Sequence, residues 1–204
     1  MLITLEGIDG SGKSTLAAAL RESLADIEPI FTREPGATWI GDAVRRAVAE
    51  RMDPIAEALL FVADHAAHLD TVVKPALAAG RLVVSDRYSD SRFAYQPAVL
   101  ADALPDPLGW LRQIHDGWSI RPDRTFLFVL PVNEALARVG TEKAREYFED
   151  ARILEEVQKN YLSLAAADPA RFVLVDALLE KEEICRFVSD EIRQCARSSQ
   201  SRPR

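Results

Sequence analysis

Apolar residues along this chain fall into two alternating kinds of segment. Five short runs rich in Ile, Val, Leu and Phe have the length and composition of buried strands: Leu2–Glu6, Glu28–Thr32, Arg81–Asp86, Arg124–Leu130 and Arg171–Asp176. Between them apolar positions recur at helical spacing. Leu16, Ala19, Leu20 and Leu24 do so in Ser14–Asp26, and Leu59, Leu60, Ala63, Ala67, Leu69 and Val73 in Ala56–Ala79. Ile153, Leu154, Val157, Tyr161 and Leu164 follow in Glu149–Ala167, and Ile184, Phe187, Val188 and Ile192 in Glu182–Ala196. Strands alternating with helices predict an α/β fold with a mainly parallel sheet covered on both faces. The stretch from Pro97 to Pro107 holds three prolines and reads as an irregular excursion. No repeat, low-complexity tract or composition break divides the chain, so residues 1–204 are expected to form one domain.

Composition narrows the function. Of 204 residues, 48% are apolar and 28% charged, the balance of a folded protein with a substantial core. The formal charge of -7 argues against a general nucleic-acid-binding surface, though it leaves room for a local basic pocket. Two cysteines, Cys185 and Cys195, do not make a disulfide framework; they read as reduced thiols of a cytoplasmic protein. Met1 runs directly into the first strand with no signal-peptide pattern, and no apolar run nears the ~20 residues of a membrane helix. Arg197 to Arg204 reads as a frayed, solvated tail.

The sharpest chemical signal follows the first strand. Gly7-Ile8-Asp9-Gly10-Ser11-Gly12-Lys13-Ser14 fits G-x-x-x-x-G-K-[ST], with a strand before it and an amphipathic helix after it. Glycines let the backbone turn tightly around an anion, and the helix N-terminus supplies partial positive charge. Lys13 adds a full charge, and Ser14 a hydroxyl for Mg²⁺. Nucleotide binding alone leaves the reaction open. A GTPase would carry an Asn-Lys-x-Asp motif, which this sequence lacks, so a small phosphotransferase is the natural reading. The third strand ends in Asp86, which can support the magnesium shell, followed by Arg87, suited to bidentate phosphate contact. Thr32-Arg33-Glu34-Pro35-Gly36 ends the second strand at the same edge, making Arg33 and Glu34 candidate substrate contacts.

Together these elements resemble the thymidylate kinase family over nearly the whole chain. The marks are Glu6 to Thr15, Thr32 to Gly36, Leu59-Leu60-Phe61-Val62-Ala63-Asp64, Asp86 to Ser91 with Ala94-Tyr95-Gln96, and Arg121-Pro122-Asp123. The resemblance implies a five-stranded parallel P-loop fold, a mobile lid, a homodimer, and Mg-ATP as phosphoryl donor to dTMP. It implies that Gly7, Ile8, Asp9, Gly10, Ser11, Gly12, Lys13, Ser14 and Thr15 bind ATP, with Ser14 and Asp86 at the metal. Asp9 faces the acceptor, Arg87 lies on phosphate between donor and acceptor, Arg45 lies near the acceptor phosphate, and Phe61 stacks on the base. Tyr95, Gln96 and Ser91 lie near base and sugar, and Glu34 near the deoxyribose. A lid over about 138–149 supplies the cations Arg138, Lys143 and Arg145.

Two positions depart from the family pattern. His65 stands where an arginine usually bonds the thymine carbonyl, and Arg92 stands where a small polar residue is usual. The expectation is compensation, with Arg92 reaching the base edge and His65 giving way or adding a second contact. Ala37 replaces a common second glycine, a mild change unless that backbone needs positive φ. His65 and His68, at i and i+3 beside Asp64, are too few ligands for a zinc site, and His115 carries no motif. The competing readings are a kinase for another pyrimidine deoxynucleoside monophosphate, dUMP or dCMP, and a catalytically silent nucleotide-binding regulator.

Overall fold

The computed structural model describes residues 1–139 and 151–200. Five strands form one parallel sheet in the order β2-β3-β1-β4-β5. They are β1 Leu2–Gly7, β2 Ile30–Arg33, β3 Val83–Asp86, β4 Arg124–Val129 and β5 Phe172–Asp176. Every residue of β1 is buried, as a central parallel strand requires. β2 begins two residues later than the sequence suggests, because Glu28 turns into the left-handed region at φ 42° after the 3₁₀ turn Ala25–Ile27. Register then sets the chemistry. Leu5 pairs with Asp86, and Arg33 pairs with Asp86 from the other side, so the charged ends of β2 and β3 stand beside the end of β1.

The helices are α1 Lys13–Ser23, α2 Trp39–Ala49, α3 Pro54–His68, α4 Lys74–Ala78 and α5 Ser89–Val99. They continue with α6 Pro107–His115, α7 Val132–Val139, α8 Ala151–Ala167 and α9 Lys181–Gln200. The long helix expected over Ala56–Ala79 is a run of α3, a π-helical turn Leu69–Val73, and α4. α5 passes through Pro97, which the sequence reading put at the start of an irregular stretch. Pro97 lies in the last turn of α5, where its missing N–H costs one hydrogen bond, and the irregular stretch begins only after Val99. The tail expected to fray from Arg197 is helical through Gln200, with Ser198 donating to the Gln194 carbonyl at 2.9 Å.

The main core unites Ile3 and Leu5 of β1 with Leu16 and Leu20 of α1, Phe126 of β4, Leu154 and Val157 of α8, and Val188 and Ile192 of α9. Leu20, Phe126 and Val188 have no exposed surface, and truncating such a residue to alanine typically costs about 2–5 kcal/mol. A second cluster gathers Leu2, Leu69, Val73, Val83 and Tyr88. A buried polar chain fixes α5 to the sheet. Arg171 grips Asp90 with bonds of 2.5 and 3.0 Å, and Thr125 donates to Asp90 at 3.1 Å. Thr125 in turn meets Thr4 at 2.8 Å. Such a pair stabilises only when its remaining hydrogen-bonding capacity is met, as it is here. The anchored helix carries Ser91, Arg92, Tyr95 and Gln96 into the site.

Candidate active site

The loop from Gly7 to Gly12 is shaped by its glycines. Gly10 adopts φ +80°, and a Cβ there would lie 2.2 Å from the Ala135 carbonyl oxygen. Gly12, at φ +88°, opens α1 with no side-chain cap, which leaves the helix N-terminus open for an anion. Lys13 is buried and donates from Nζ to the Ile8 carbonyl at 2.8 Å and to Ser11 Oγ at 3.0 Å. Burial and the nearby Arg87 charge push its ammonium down to about 8. Ser14 donates to Asp86 Oδ2 at 2.8 Å, joining a hydroxyl and a carboxylate at the end of β3. These hard oxygen ligands suit Mg²⁺, which keeps phosphate and water as its other ligands. Among the described residues no cluster of three His, Cys, Asp or Glu offers an all-protein metal cage.

Arg87 is the hub of the site. Its backbone lies at φ +66°, a strained conformation for a non-glycine residue. Its Nη2 donates to Asp9 Oδ1 at 2.7 Å and Tyr95 Oη at 3.2 Å, and its Nη1 to the Gly7 carbonyl and Ser91 Oγ, both at 3.2 Å. Its guanidinium also lies over the Tyr95 ring, 5.0 Å from the centroid. Burial works against the charged form of Asp9, but Arg87 and Lys13 outweigh it and hold the carboxyl below its ordinary range. Beneath Arg87, Glu6 accepts from Tyr88 N–H at 2.8 Å, Ser91 Oγ at 2.6 Å and Tyr161 Oη at 2.8 Å. Burial first, and the Asp90 charge second, push the Glu6 carboxyl up to about 7.

Two cavities meet at this hub. The larger, about 1940 Å³, is lined by the loop from Asp9 to Thr15, by Arg33 and Arg138, and by Leu178 and Leu179 after β5. The smaller, about 230 Å³, has an apolar wall of Val44, Val48 and Phe61 and a polar wall of Ser91, Arg92, Tyr95 and Gln96. Asp9, Glu34, Pro35, Arg45 and Arg87 line both. Arg45 donates to the Pro35 carbonyl at 3.4 Å and pairs with Asp42. The Glu34–Pro35 peptide is cis. Ala37 is not among the residues with positive φ, so its side chain meets no backbone objection.

The structure places several candidates differently from expectation. His65 lines neither cavity. It is wholly buried, its Nδ1 2.9 Å from Glu34 Oε1 and its Nε2 2.8 Å from Ser119 Oγ. The Glu34 carboxylate is engaged internally, by His65, by His68 Nδ1 at 2.5 Å and by Arg92 Nη1 at 2.6 Å. Burial opposes its charge, but Arg92 and His65 hold it well below the usual carboxylate range. Arg33 lines only the larger cavity, and Gly7 and Ile8 line neither. Arg138 donates to the Ala177 carbonyl at 2.9 Å, while Lys143 and Arg145 lie outside the described residues. Sequence reasoning passed over His115, whose Nε2 accepts from Arg92 Nε at 3.0 Å, and the wall residues Val44, Val48 and Tyr88. The wall residues of α2 carried a usable signal. Thr38 precedes an amphipathic run and caps α2 by accepting from Ile40 and Gly41 N–H.

Among the described residues no helix is long and apolar enough to cross a membrane. A family model described as thymidylate kinase matches residues 5–188. A probable thymidylate kinase of Methanoculleus marisnigri is 74% identical over 204 residues, covering both chains completely. One from Methanospirillum hungatei is 55% identical, covering 95% of this chain and 94% of its own. Another, from Natronomonas pharaonis, is 51% identical over 87% of this chain and 89% of its own. With a phosphate-binding loop, two cavities joined at Arg87, and this likeness from end to end, the chain belongs to the thymidylate kinase family.

Proposed function

We propose that this protein is a thymidylate kinase, moving the γ-phosphoryl group of Mg-ATP onto dTMP to give ADP and dTDP. The observation that carries the reading is the seam. A large cavity lined by the phosphate-binding loop and a small cavity lined by Phe61 share Asp9, Glu34, Arg45 and Arg87, bringing two arginines to the place where two phosphates would meet.

Phosphoryl transfer needs positioning and charge neutralisation more than covalent chemistry from the protein. The loop amides and Lys13 hold the donor phosphates. Arg87, fixed by Asp9, Tyr95 and Ser91, bridges donor and acceptor phosphates, and Arg45 holds the acceptor phosphate. Phe61 stacks on the base, while Ser91, Arg92, Tyr95 and Gln96 form its polar surround. Ser14 and Asp86 would hold Mg²⁺, which when bound neutralises charge on the phosphate oxygens. Arg138 supplies a further cation beside the donor phosphates, in keeping with its place on the larger cavity, and Lys143 and Arg145, outside the described residues, would add to it. The chain works as one domain, as a homodimer in the cytoplasm, with no nucleic-acid or membrane partner.

A coupled ADP-release assay with Mg-ATP and a panel of dTMP, dUMP, dCMP, dGMP and AMP tests this. Strong turnover with dTMP is expected. Preferred turnover of dUMP or dCMP would favour the neighbouring specificity, and no turnover with any acceptor would favour the silent regulator.

A further inference from the structure

All three histidines of the chain converge on one buried arginine and its counter-ion. Arg92, from α5, is 3% exposed. Its Nη1 is bonded to Glu34 Oε2 and its Nε to His115 Nε2. His115 Nδ1 lies 2.7 Å from the Leu111 carbonyl, which can only accept; this ring nitrogen therefore carries the proton and leaves Nε2 as the acceptor Arg92 needs. Glu34 Oε1 is shared by His65 and His68, whose outer nitrogens meet Ser119 and Thr32 hydroxyls at 2.8 and 2.7 Å. Two of the three guanidinium nitrogens are thus held, and a single nitrogen is left over.

That nitrogen, Arg92 Nη2, is buried and has no partner among the described residues. The Tyr88 hydroxyl is in the same condition, and both residues line the smaller cavity. The third such atom, Gln158 Oε1, belongs to a residue that lines neither cavity. Buried polar groups are nearly always satisfied, so unspent capacity gathered on one cavity wall points to a ligand atom that completes it. A guanidinium has no acceptor atom and stays charged, so its partner must be an acceptor.

We infer that Glu34, His65, His68 and His115 are positioning residues that hold Arg92 in the cavity wall with one N–H₂ unspent, selecting a base that presents a carbonyl to it over one that presents an amino group. This rests on the kinase reading above and sharpens it to 4-keto pyrimidines. An amino group at that edge would set donor against donor and leave Arg92 Nη2 orphaned. Sites built to bond a particular polar group reject its absence by about 10⁴-fold. The thymine methyl is a separate matter for the apolar wall, where one methyl is worth about 10–200-fold. The device therefore governs dTMP against dCMP and leaves dTMP against dUMP alone.

The test uses the full chain, with kcat/KM and calorimetric binding measured for dTMP, dUMP and dCMP. Arg92→Met is expected to lower the dTMP/dCMP ratio at least about 100-fold while the dTMP/dUMP ratio stays within about 3-fold. If the buried Glu34 charge keeps that variant from folding, Arg92→Met/Glu34→Gln removes both charges and carries the same expectation. His115→Leu is expected to raise KM for dTMP and lower the dTMP/dCMP ratio about 10-fold with KM for ATP unmoved. His115→Gln, which keeps an acceptor, restores both to within about 3-fold. A folded Arg92 variant that keeps its dTMP/dCMP ratio overturns the inference, as does one whose two ratios fall together. Equal binding of dTMP and dCMP by the unaltered protein overturns it too. Binding that prefers dTMP without any phosphoryl transfer supports the inference and refutes the kinase reading.

Discussion

Glu34→Gln removes one charge from the buried cluster and almost nothing else. Glutamine has nearly the shape of glutamate, so no cavity forms. The two histidines that bond Glu34 Oε1 have hydroxyl partners, Ser119 and Thr32, at their other nitrogens. A hydroxyl can donate or accept, so either imidazole can exchange its tautomer to suit an amide. What cannot be exchanged is the charge opposite Arg92, which is 3% exposed and bonded to Glu34 at 2.6 Å. Removing one partner of a buried ion pair costs about 3–5 kcal/mol, because the remaining charge stays desolvated and unpaired. For a chain of this size each kcal/mol lowers Tm by about 2–4 °C, so a drop of about 6–20 °C is expected. Urea denaturation of wild type, Glu34→Gln, Arg92→Met and the double variant would give the coupling energy directly. The double variant is expected to lose at least about 2 kcal/mol less than the two single losses added together. A Glu34→Gln protein within about 1 kcal/mol of wild type, or additive losses, would refute the claim that the carboxylate compensates Arg92.

Three further outcomes follow from the same geometry. Ser14→Ala and Asp86→Asn should each raise the Mg²⁺ concentration for half-maximal rate by about 10–100-fold, read by metal titration at saturating ATP and dTMP; an unchanged requirement would move the metal elsewhere. Phe61→Ala should raise KM for dTMP by about 5–150-fold, the worth of about 1–3 kcal/mol of base stacking, with KM for ATP little changed. Glu57, buried on α3 with its carboxyl pushed up to about 7 by desolvation, is ionised at a cost above that pH, since the unfolded group titrates near 4.5. Glu57→Gln should therefore stabilise the fold by about 1–2 kcal/mol at pH 8, with the gain vanishing as pH falls to 4.5; urea curves showing a larger gain at pH 5 than at pH 8 would contradict the sign.

What could be read from the sequence was local. The five strands and the phosphate loop are written in contiguous residues, and the structure returns them within two residues at their starts and one at their ends. α5 escaped because its polar residues are buried for the site rather than exposed, whereas α2 keeps Asp42, Arg45 and Arg46 exposed and its amphipathic signal went unread. Asp90, Arg92 and Gln96 of α5 are all nearly inaccessible, which erases the apolar stripe that marks a surface helix. The cage around Arg92 was half legible. Arg92 stood out as unusual, but its partners Glu34 and His115 lie 58 and 23 residues away, and no local pattern encodes those meetings. His65 misled for the same reason. Its place after Asp64 suggested the base, whereas α3 turns it toward Glu34 and Ser119.

The π-helical turn at Leu69–Val73 makes one stretch of the chain tolerant of a change in length. A π turn spends one residue more than an α-helix to advance the same way, and here Asp70 and Thr71 are exposed while Leu69 and Val73 are wholly buried. Deleting Thr71 would leave Leu69 and Val73 three apart, still on one helix face, and let the backbone close as ordinary α-helix. The same deletion inside α3 would turn everything beyond it by about 100° and carry His65 and His68 away from Glu34. The helix that packs the second cluster thus holds a spare residue at an exposed joint, and relatives differing by a single-residue gap there would keep the same active site.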